Sequence, residues 1–239
     1  VMPDQESNAD LNVLSEDPLC AGVFLPNLDV PISPTEGHFI RSHFSAPQIN
    51  SSDWSLPVTG EINNALNLSY DDLLKMPSHE VVSLMECAGN SRSTMQPPAE
   101  GVQWDNGAVS VSRWKGVSVR TVLEQAGLKP SATDVLFEGI DSGTEPHSGG
   151  KLNYAMSVPM EKLLNEDTLL AYEMNGETLP KDHGFPIRLL VPGWYGMASV
   201  KWLDKITVLD HPNGGFHEMD YRIYPATDGK NDAKVQRVT

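Results

Sequence analysis

Cysteine is scarce in this sequence, with only two residues among 239. Cys20 and Cys87 do not form a CxxC pair, so a disulfide framework is excluded. A structural zinc site needs about four protein ligands, and a lone cysteine cannot build one. Cysteine usage therefore leaves both the redox compartment and the role of each thiol open.

Positive charge is also scarce, because 17 Lys and Arg residues face 32 Asp and Glu residues and give a net charge of −15. Nucleic-acid binding needs basic surface to neutralise phosphates, so this class of partner is excluded. An acidic surface favours solubility and can steer a basic protein partner. Any site for an anion must be a local basic patch within an unfavourable overall field.

Long apolar runs are missing as well. No stretch approaches the ~20 apolar residues that a membrane-spanning helix needs, so the sequence predicts no membrane span. The hydrophobic share of 39% and the charged share of 21% are those of an ordinary globular chain. The chain begins at Val1 with no charged and then apolar leader, which leaves its localisation open.

The order of patterns along the chain predicts an α+β fold. Residues 1–36, rich in Asp, Asn, Pro and Ser, indicate an extended N-terminal arm, followed by one domain over 37–225 and a polar C-terminal tail over 226–239. The domain shows short strands and helices in no βαβ rhythm. The main elements predicted from hydrophobic period, caps and turn residues are strands at 80–85, 134–140, 168–173, 187–191 and 200–208, helices at 70–76 and 118–126, and a loop at 142–153.

Cys87 stands at the exit of the strand predicted at 80–85, in the segment Glu86–Arg92 (ECAGNSR). The commonest role of a cysteine after an apolar strand is core packing. Its position before Gly89 could instead place the sulfur at a cavity mouth, and Arg92 is a cation able to favour the thiolate. A thiolate suits a transition metal, whose other ligands would then come from water or an organic cofactor.

Basic residues also recur in predicted loops of this acidic chain. One interpretation is that they are surface charges with acidic partners. The other is an anion-binding shell, since arginine matches phosphate or sulfur oxyanions with two parallel hydrogen bonds. These residues are Arg41, His43, Lys181, His183, Arg188 and Lys201.

Four separated segments resemble the sulfite oxidase family of molybdopterin-binding domains: Glu86–Arg92 (ECAGNSR), Ala171–Gly176 (AYEMNG), Asp182–Pro186 (DHGFP) and Ser199–Leu203 (SVKWL). The resemblance runs from about His38 to Tyr221, and within it 101–117 is most similar to the catalytic subunit of bacterial sulfite dehydrogenases. It implies a mixed sulfite-oxidase-type fold with short strands and helices, binding one molybdenum–molybdopterin per chain, with no haem in this chain.

The resemblance also implies roles for individual residues. Cys87 would ligate molybdenum, and Arg41, Arg92 and Tyr221 would join it as catalytic residues, although Tyr221 is also compatible with an amphipathic wall residue. Ser42 departs from the asparagine common in animal members. The residues that would hold the cofactor are Phe39, Arg41, Ser42, His43, Cys87, Asp141, His183, Arg188, Ser199 and Lys201.

The implied activity is oxidation of sulfite to sulfate, with electrons passed to an external acceptor such as cytochrome c, in the bacterial periplasm. The family's C-terminal dimerisation domain is expected to be absent from the chain, so a homodimer is expected only if the full protein has that domain. Two alternatives stay open: a nitrate-reductase-like enzyme acting on another oxyanion or oxo substrate, and a non-catalytic molybdopterin-binding protein.

Overall fold

The computed structural model of the protein describes residues 11–27, 30–145, 149–223 and 236–237. Four helices lie in these ranges: α1 Tyr70–Lys75, α2 Val119–Ala126, α3 Met160–Leu163 and α4 Phe216–Asp220. The strands are β1 Leu11–Glu16, β2 Leu19–Val23, β3 Ile40–Arg41, β4 Ser55–Gly60, β5 Leu66–Ser69, β6 Ser78–Glu86, β7 Val109–Ser118, β8 Asp134–Thr144, β9 Lys151–Pro159, β10 Leu169–Met174, β11 Glu177–Thr178, β12 Arg188–Leu190, β13 Leu203–Leu209, β14 Arg222–Ile223 and β15 Gln236–Arg237.

The strands form two five-stranded sheets, one three-stranded sheet and one short pair. One large sheet has the order β5-β4-β13-β8-β9, in which β13 runs parallel to β4 and antiparallel to β8. The other has the order β11-β10-β7-β6, with β12 paired to β10. This combination of sheets and short helices confirms the predicted α+β class. None of the helices in the described ranges is long and apolar enough to cross a membrane.

Strand β10 shows how the two hydrophobic cores arise. Successive side chains of a strand point to opposite faces. Leu170 and Tyr172 enter the larger core with the β4–β13 sheet and α2, whereas Leu169 and Ala171 enter a smaller core with the tryptophans Trp104 and Trp114. Strand β10 is therefore buried on both faces, and the end of β6 lies at the smaller core.

The predicted N-terminal arm is more regular than its composition indicated. Strands β1 and β2 form an antiparallel hairpin, and β2 pairs with β3 through Cys20 opposite Arg41. The hairpin thus fixes the segment that carries Arg41. Residues 1–10 of the arm, and the predicted tail at 226–239 apart from Gln236 and Arg237, lie outside the described residues.

Two further elements differ from their predicted bounds. The loop predicted at 142–153 is a β-hairpin, because β8 continues to Thr144 and β9 begins at Lys151. The strand predicted at 200–208 begins only at Leu203, because Trp202 has a φ of 50° in the left-handed region, which ends strand geometry. Residues 199–202 therefore form an irregular segment, and this segment contributes Ser199 and Lys201 to the site.

Candidate active site

Cys87 is the first residue after β6, and its backbone N–H still donates to the Ala108 carbonyl at 2.9 Å. The thiol is buried and accepts a hydrogen bond from the Gly89 N–H at 3.4 Å. Burial raises the pKa of the thiol, while the Gly89 N–H and the charges of Arg41 and Arg92 lower it. The free thiol is therefore protonated, and a bound metal ion would displace its proton.

A cavity of about 630 Å³, part of it open to solvent, lies beside Cys87. All ten residues that the family resemblance assigns to the cofactor line this one cavity, and so does Tyr221. Its walls combine residues of the smaller core, such as Phe39 and Met85, with Tyr154 and Met197 of the larger core. The cavity therefore lies where the two cores meet, which explains why its residues come from distant parts of the sequence.

The segment 39–43 forms one side of the cavity. The Phe39 N–H donates to the Ser110 hydroxyl at 3.1 Å, which ties this segment to β7. Arg41 donates to the Ser42 carbonyl and approaches the Cys20 sulfur at 3.9 Å. The pairing of β3 with β2 thus holds a guanidinium at the cavity that also contains Cys87.

Lys201 and Asp141 form a second charged group of the cavity. The Lys201 ammonium donates to the Ser42 hydroxyl and to the Asp182 carbonyl, both at 2.8 Å. Burial lowers the pKa of Lys201 to about 7 and raises the pKa of Asp141 to about 6. Asp141 Oδ1 is buried and has no hydrogen-bond partner in the described part of the chain, which leaves a strong acceptor available to a ligand.

Arg188 lies deeper, with its guanidinium 4.9 Å from the ring centre of Trp114. It donates to the carbonyls of His183 at 3.0 Å and Ser199 at 3.1 Å, and approaches the Met85 sulfur at 3.5 Å. Burial lowers its pKa to about 9. Its polar partners among the described residues are neutral, so its charge stays available for an anion.

Aromatic rings form the wall next to Arg41. Tyr221 Oη and His43 Nε2 are 2.9 Å apart, and the His43 ring stacks on Tyr154 with the ring centres 4.5 Å apart. Tyr154 in turn donates to the Met197 carbonyl at 2.7 Å. Burial raises the pKa of Tyr221 to about 12, so its phenol keeps its proton at neutral pH.

Helix α4 positions Tyr221 by attaching to the outer edge of β9. The Glu218 carboxylate accepts from the Ser157 N–H at 2.8 Å, and His217 Nδ1 accepts from the Ala155 N–H at 3.4 Å. The Tyr221 N–H then donates to the His217 carbonyl at 3.1 Å. These contacts connect the end of α4 to a strand of the large sheet and hold the phenol at the cavity.

Among the residues that the family resemblance assigns to the site, Arg92 is the one that does not belong to the described residues lining the cavity. Its Nη1 donates to the Val102 carbonyl at 3.3 Å. A Cβ atom at Gly89 or Gly101 would collide with the guanidinium, so both glycines are needed to admit it. Arg92 acts on the site through its charge, which lowers the pKa of both Cys87 and Tyr221.

The sequence analysis missed several residues of the cavity and its surroundings. His38 belongs to the segment His38–His43 (HFIRSH), which also contains Arg41 and His43, and it was not among the predicted residues. The clustering of these side chains was a usable signal. Tyr154 directly follows the loop predicted at 142–153. Its place in the cavity depends on β9, which the sequence analysis did not predict. Lys181, by contrast, is exposed and contributes only its carbonyl, which accepts from the Trp202 indole.

Buried histidines make the stability of the cofactor-free protein depend on pH. Burial lowers the pKa of His38 to about 3 and of His217 to about 4, and it lowers the pKa of His43 and His183 well below 6.5. Below about pH 6.5 the unfolded chain therefore binds more protons, and acid favours unfolding. Asp141 opposes this between about pH 4 and 6, because its raised pKa makes the folded state bind the extra proton.

The destabilising effect of acid on the four histidines is larger than the stabilising effect on the one carboxyl group. We therefore expect the free energy of unfolding to fall by at least ~1.4 kcal/mol from pH 6.5 to 5.5. Urea unfolding of the cofactor-free protein at the two pH values measures the change. His217→Gln removes one of the four buried imidazoles and should reduce the pH dependence. Equal stability at both pH values would show that the buried imidazoles are not neutral in the folded state.

The chain matches a known protein family and has the fold of a solved structure. Residues 43–217 match the family described as oxidoreductase molybdopterin binding domain. The sulfane dehydrogenase SoxCD from Paracoccus pantotrophus has a chain with a similar fold, with a TM-score of 0.81 and 30% sequence identity, over 96% of this chain and 58% of that one. The fold resemblance therefore extends over nearly the whole sequence.

Curated relatives include two enzyme types. Rat mitochondrial sulfite oxidase (Rattus norvegicus) is 42% identical over 184 residues, which are 74% of this chain and 33% of that protein. Chicken sulfite oxidase (Gallus gallus) is 40% identical over 82% of this chain and 44% of the relative. NADH nitrate reductase 1 of Phaseolus vulgaris is 35% identical over 82% of this chain and 23% of its own length. The chain thus spans less than half of these relatives.

Proposed function

Because the chain belongs to the oxidoreductase molybdopterin-binding domain family, we propose that it oxidises sulfite to sulfate at the cavity beside Cys87. The family implies molybdenum–molybdopterin as the cofactor. In the overall reaction, sulfite and water give sulfate, two protons and two electrons. The electrons then pass to an acceptor outside this chain.

The residues present fit this cofactor. Molybdopterin carries a phosphate, a pterin ring with N–H donors, and two sulfur atoms that chelate the metal. Two cations of the cavity suit the phosphate. Arg188 has no carboxylate partner among the described residues, and Lys201 is the second cation. Asp141 Oδ1, buried and without a partner there, suits an N–H donor, and the Cys87 sulfur suits a soft metal.

The bound cofactor supplies two-electron oxygen-atom transfer, and the chain supplies orientation and charge. Arg41 binds the anionic substrate, since its guanidinium lines the cavity with Cys87. Tyr221 keeps its proton. In the tautomer in which His43 Nε2–H donates to the phenol oxygen, this contact orients the phenol and leaves its O–H free to donate a hydrogen bond to a substrate oxygen. Arg92 adds positive charge beside Cys87.

One observation carries the proposal: Cys87, Arg41 and Tyr221, which the family resemblance assigns as catalytic residues, line a single cavity in a chain of net charge −15. The test is a steady-state assay of molybdenum-loaded protein with sulfite and ferricyanide, run beside an assay with nitrate and a reduced dye. We expect turnover with sulfite and little or none with nitrate. Failure of sulfite to reduce ferricyanide would overturn the proposal.

A nitrate-reducing enzyme is the second candidate, since the identity to a plant nitrate reductase approaches that to sulfite oxidases. The same pair of assays decides between them, because turnover confined to nitrate would establish this alternative. A non-catalytic molybdopterin-binding protein would contain the cofactor and show no turnover with either substrate.

Gly101→Ala tests the contribution of Arg92 without changing its charge. The new Cβ would collide with Arg92 Nη1, so we expect the KM for sulfite to rise about tenfold through a displaced guanidinium. Gly176→Ala is the matched control, because Gly176 also has a positive φ but no atom within 4 Å of the added Cβ. If both variants keep the KM of the original protein, Arg92 does not act on the substrate.

We also propose a cytochrome c as acceptor and the bacterial periplasm as location. Both proposals depend on the resemblance to bacterial sulfite dehydrogenases, and the acidic composition suits a basic partner. Fractionation of the cells that produce the protein, followed by sulfite-dependent reduction of their purified cytochromes, tests both proposals together. Activity confined to the cytoplasmic fraction would exclude the periplasm.

A further inference from the structure

His38 is a cavity residue to which no role has yet been given. It follows the 3-10 turn Thr35–Gly37, and its imidazole is almost completely buried. The ring lines the cavity together with His183, whose ring centre is 5.1 Å away. It is therefore placed among the residues assigned to the cofactor.

The hydrogen bonding of His38 determines which ring nitrogen carries the proton. Nδ1 lies 3.0 Å from the carbonyl oxygen of Phe39, and a carbonyl can only accept, so Nδ1 is the donor. Burial lowers the pKa of His38 to about 3, and the charges of Arg188 and Lys201 act in the same direction. The imidazole is then neutral at pH 7, and Nε2 carries a lone pair that accepts.

Nε2 is buried and has no hydrogen-bond partner within the described ranges. The ring cannot easily turn to find one, because it stacks on Phe39 at 5.2 Å and meets the edges of Trp114 at 5.7 Å and His183 at 5.1 Å. A buried acceptor of this kind is costly unless a ligand or water pairs with it. Asp141 Oδ1, in the same cavity, is a second buried acceptor that has no partner among the described residues.

We propose that His38 Nε2 accepts a hydrogen bond from an N–H group of the pterin ring, and that His38 is thereby a cofactor-binding residue. The cofactor's phosphate does not pair with Nε2, because a phosphate at neutral pH presents acceptor oxygens. The donors for those oxygens are Arg188 and Lys201. The N–H edge of the pterin needs acceptors, and His38 and Asp141 supply them. This inference rests on the cofactor of the family and on no assumption about sulfite.

The test compares two amides at position 38 in the full chain. Gln places its side-chain oxygen near the position of Nε2, whereas Asn reaches only as far as Nδ1 and leaves the Nε2 position empty. For each variant, pterin and molybdenum per chain are measured, together with the rate at which the purified protein releases pterin. The melting temperature of each cofactor-free variant is the control for folding.

We expect His38→Asn to release pterin about tenfold faster than the original protein, and His38→Gln to stay close to it. Unchanged release from His38→Asn would overturn the proposal, because water alone would then satisfy Nε2. Equal losses in both variants would overturn it too, because the effect would come from packing. Turnover is not measured here, so a chain that holds pterin but does not oxidise sulfite would contradict the proposed function and leave this inference standing.

Discussion

Cys87→Ser is expected to lower sulfite turnover by more than ~100-fold while the pterin content per chain stays near that of the original protein. Loss of partners around a metal ligand typically costs 10–100-fold, and loss of the ligand itself should cost more. A serine hydroxyl is a harder donor than a thiolate and does not replace it on a soft metal. The pterin is retained because its other contacts come from other residues of the cavity, such as Arg188 and Lys201.

Cys20→Ser is the matched control for this prediction. Cys20 is also buried, and its sulfur lies 3.7 Å from the Ser42 carbonyl, but it does not line the cavity in the described part of the structure. Its replacement should change turnover only a few fold. Turnover of Cys87→Ser at the rate of Cys20→Ser would show that Cys87 is a packing residue and would remove the metal ligand from the account.

Arg41→Gln is expected to lower kcat/KM for sulfite at least ~30-fold, chiefly through a higher KM. Truncating one partner of a buried, hydrogen-bonded charge pair costs roughly 2–5 kcal/mol, and about 2 kcal/mol corresponds to this factor. The substitution removes the cation that lines the cavity with Cys87 and leaves a shorter, neutral polar side chain. Initial rates over a range of sulfite concentrations, with ferricyanide as acceptor, give both constants.

Two comparisons make the result of Arg41→Gln specific. Arg41→Lys should recover part of the loss, because lysine keeps the charge and loses the two-pronged geometry. Arg120→Gln removes an equal charge from an exposed position on α2, where Arg120 pairs with Glu124, and should leave kcat/KM unchanged. If Arg41→Gln and Arg120→Gln lower kcat/KM for sulfite by the same factor, only the net charge of the chain affects the substrate.

Local chemistry made several elements predictable. Ser69 begins α1, because its hydroxyl accepts from the Asp72 N–H while the Asp72 carboxylate accepts from the Ser69 N–H. Gly127, with a φ of 70°, ends α2 as its position after the helical pattern indicated. In both cases the signal lies within a few residues, so the sequence alone contains it.

Strands whose pairing depends on distant partners were harder to predict. Strand β7 pairs with β6 over nine positions and with β10 on its other side, yet its sequence VSVSRWKGVS alternates small polar and apolar residues and was not assigned. The start of strand β9 was not recognised, because the Gly, Ser and His residues between Thr144 and Lys151 favour a loop in the sequence. The conformation of these segments depends on their pairing with distant strands, and no local sequence pattern indicates that pairing.

The site shows the same division between local and distant signals. The motifs around Cys87, His183 and Lys201 were visible as separate segments, and the family resemblance connected them. Contacts between segments, such as Lys201 Nζ to Ser42 Oγ and Tyr221 to His43, depend on how the two cores meet. That His38 Nε2 has no partner among the described residues is a property of three-dimensional packing, and the sequence could not reveal it.

The most direct measurement is a single turnover with no electron acceptor. Molybdenum-loaded protein is mixed anaerobically with one equivalent of sulfite per molybdenum, and the sulfate formed is quantified. The account predicts close to one sulfate per molybdenum in the original protein and almost none in Cys87→Ser within the same time. Absence of sulfate from the original protein, with molybdenum and pterin present, would contradict sulfite oxidation at this site.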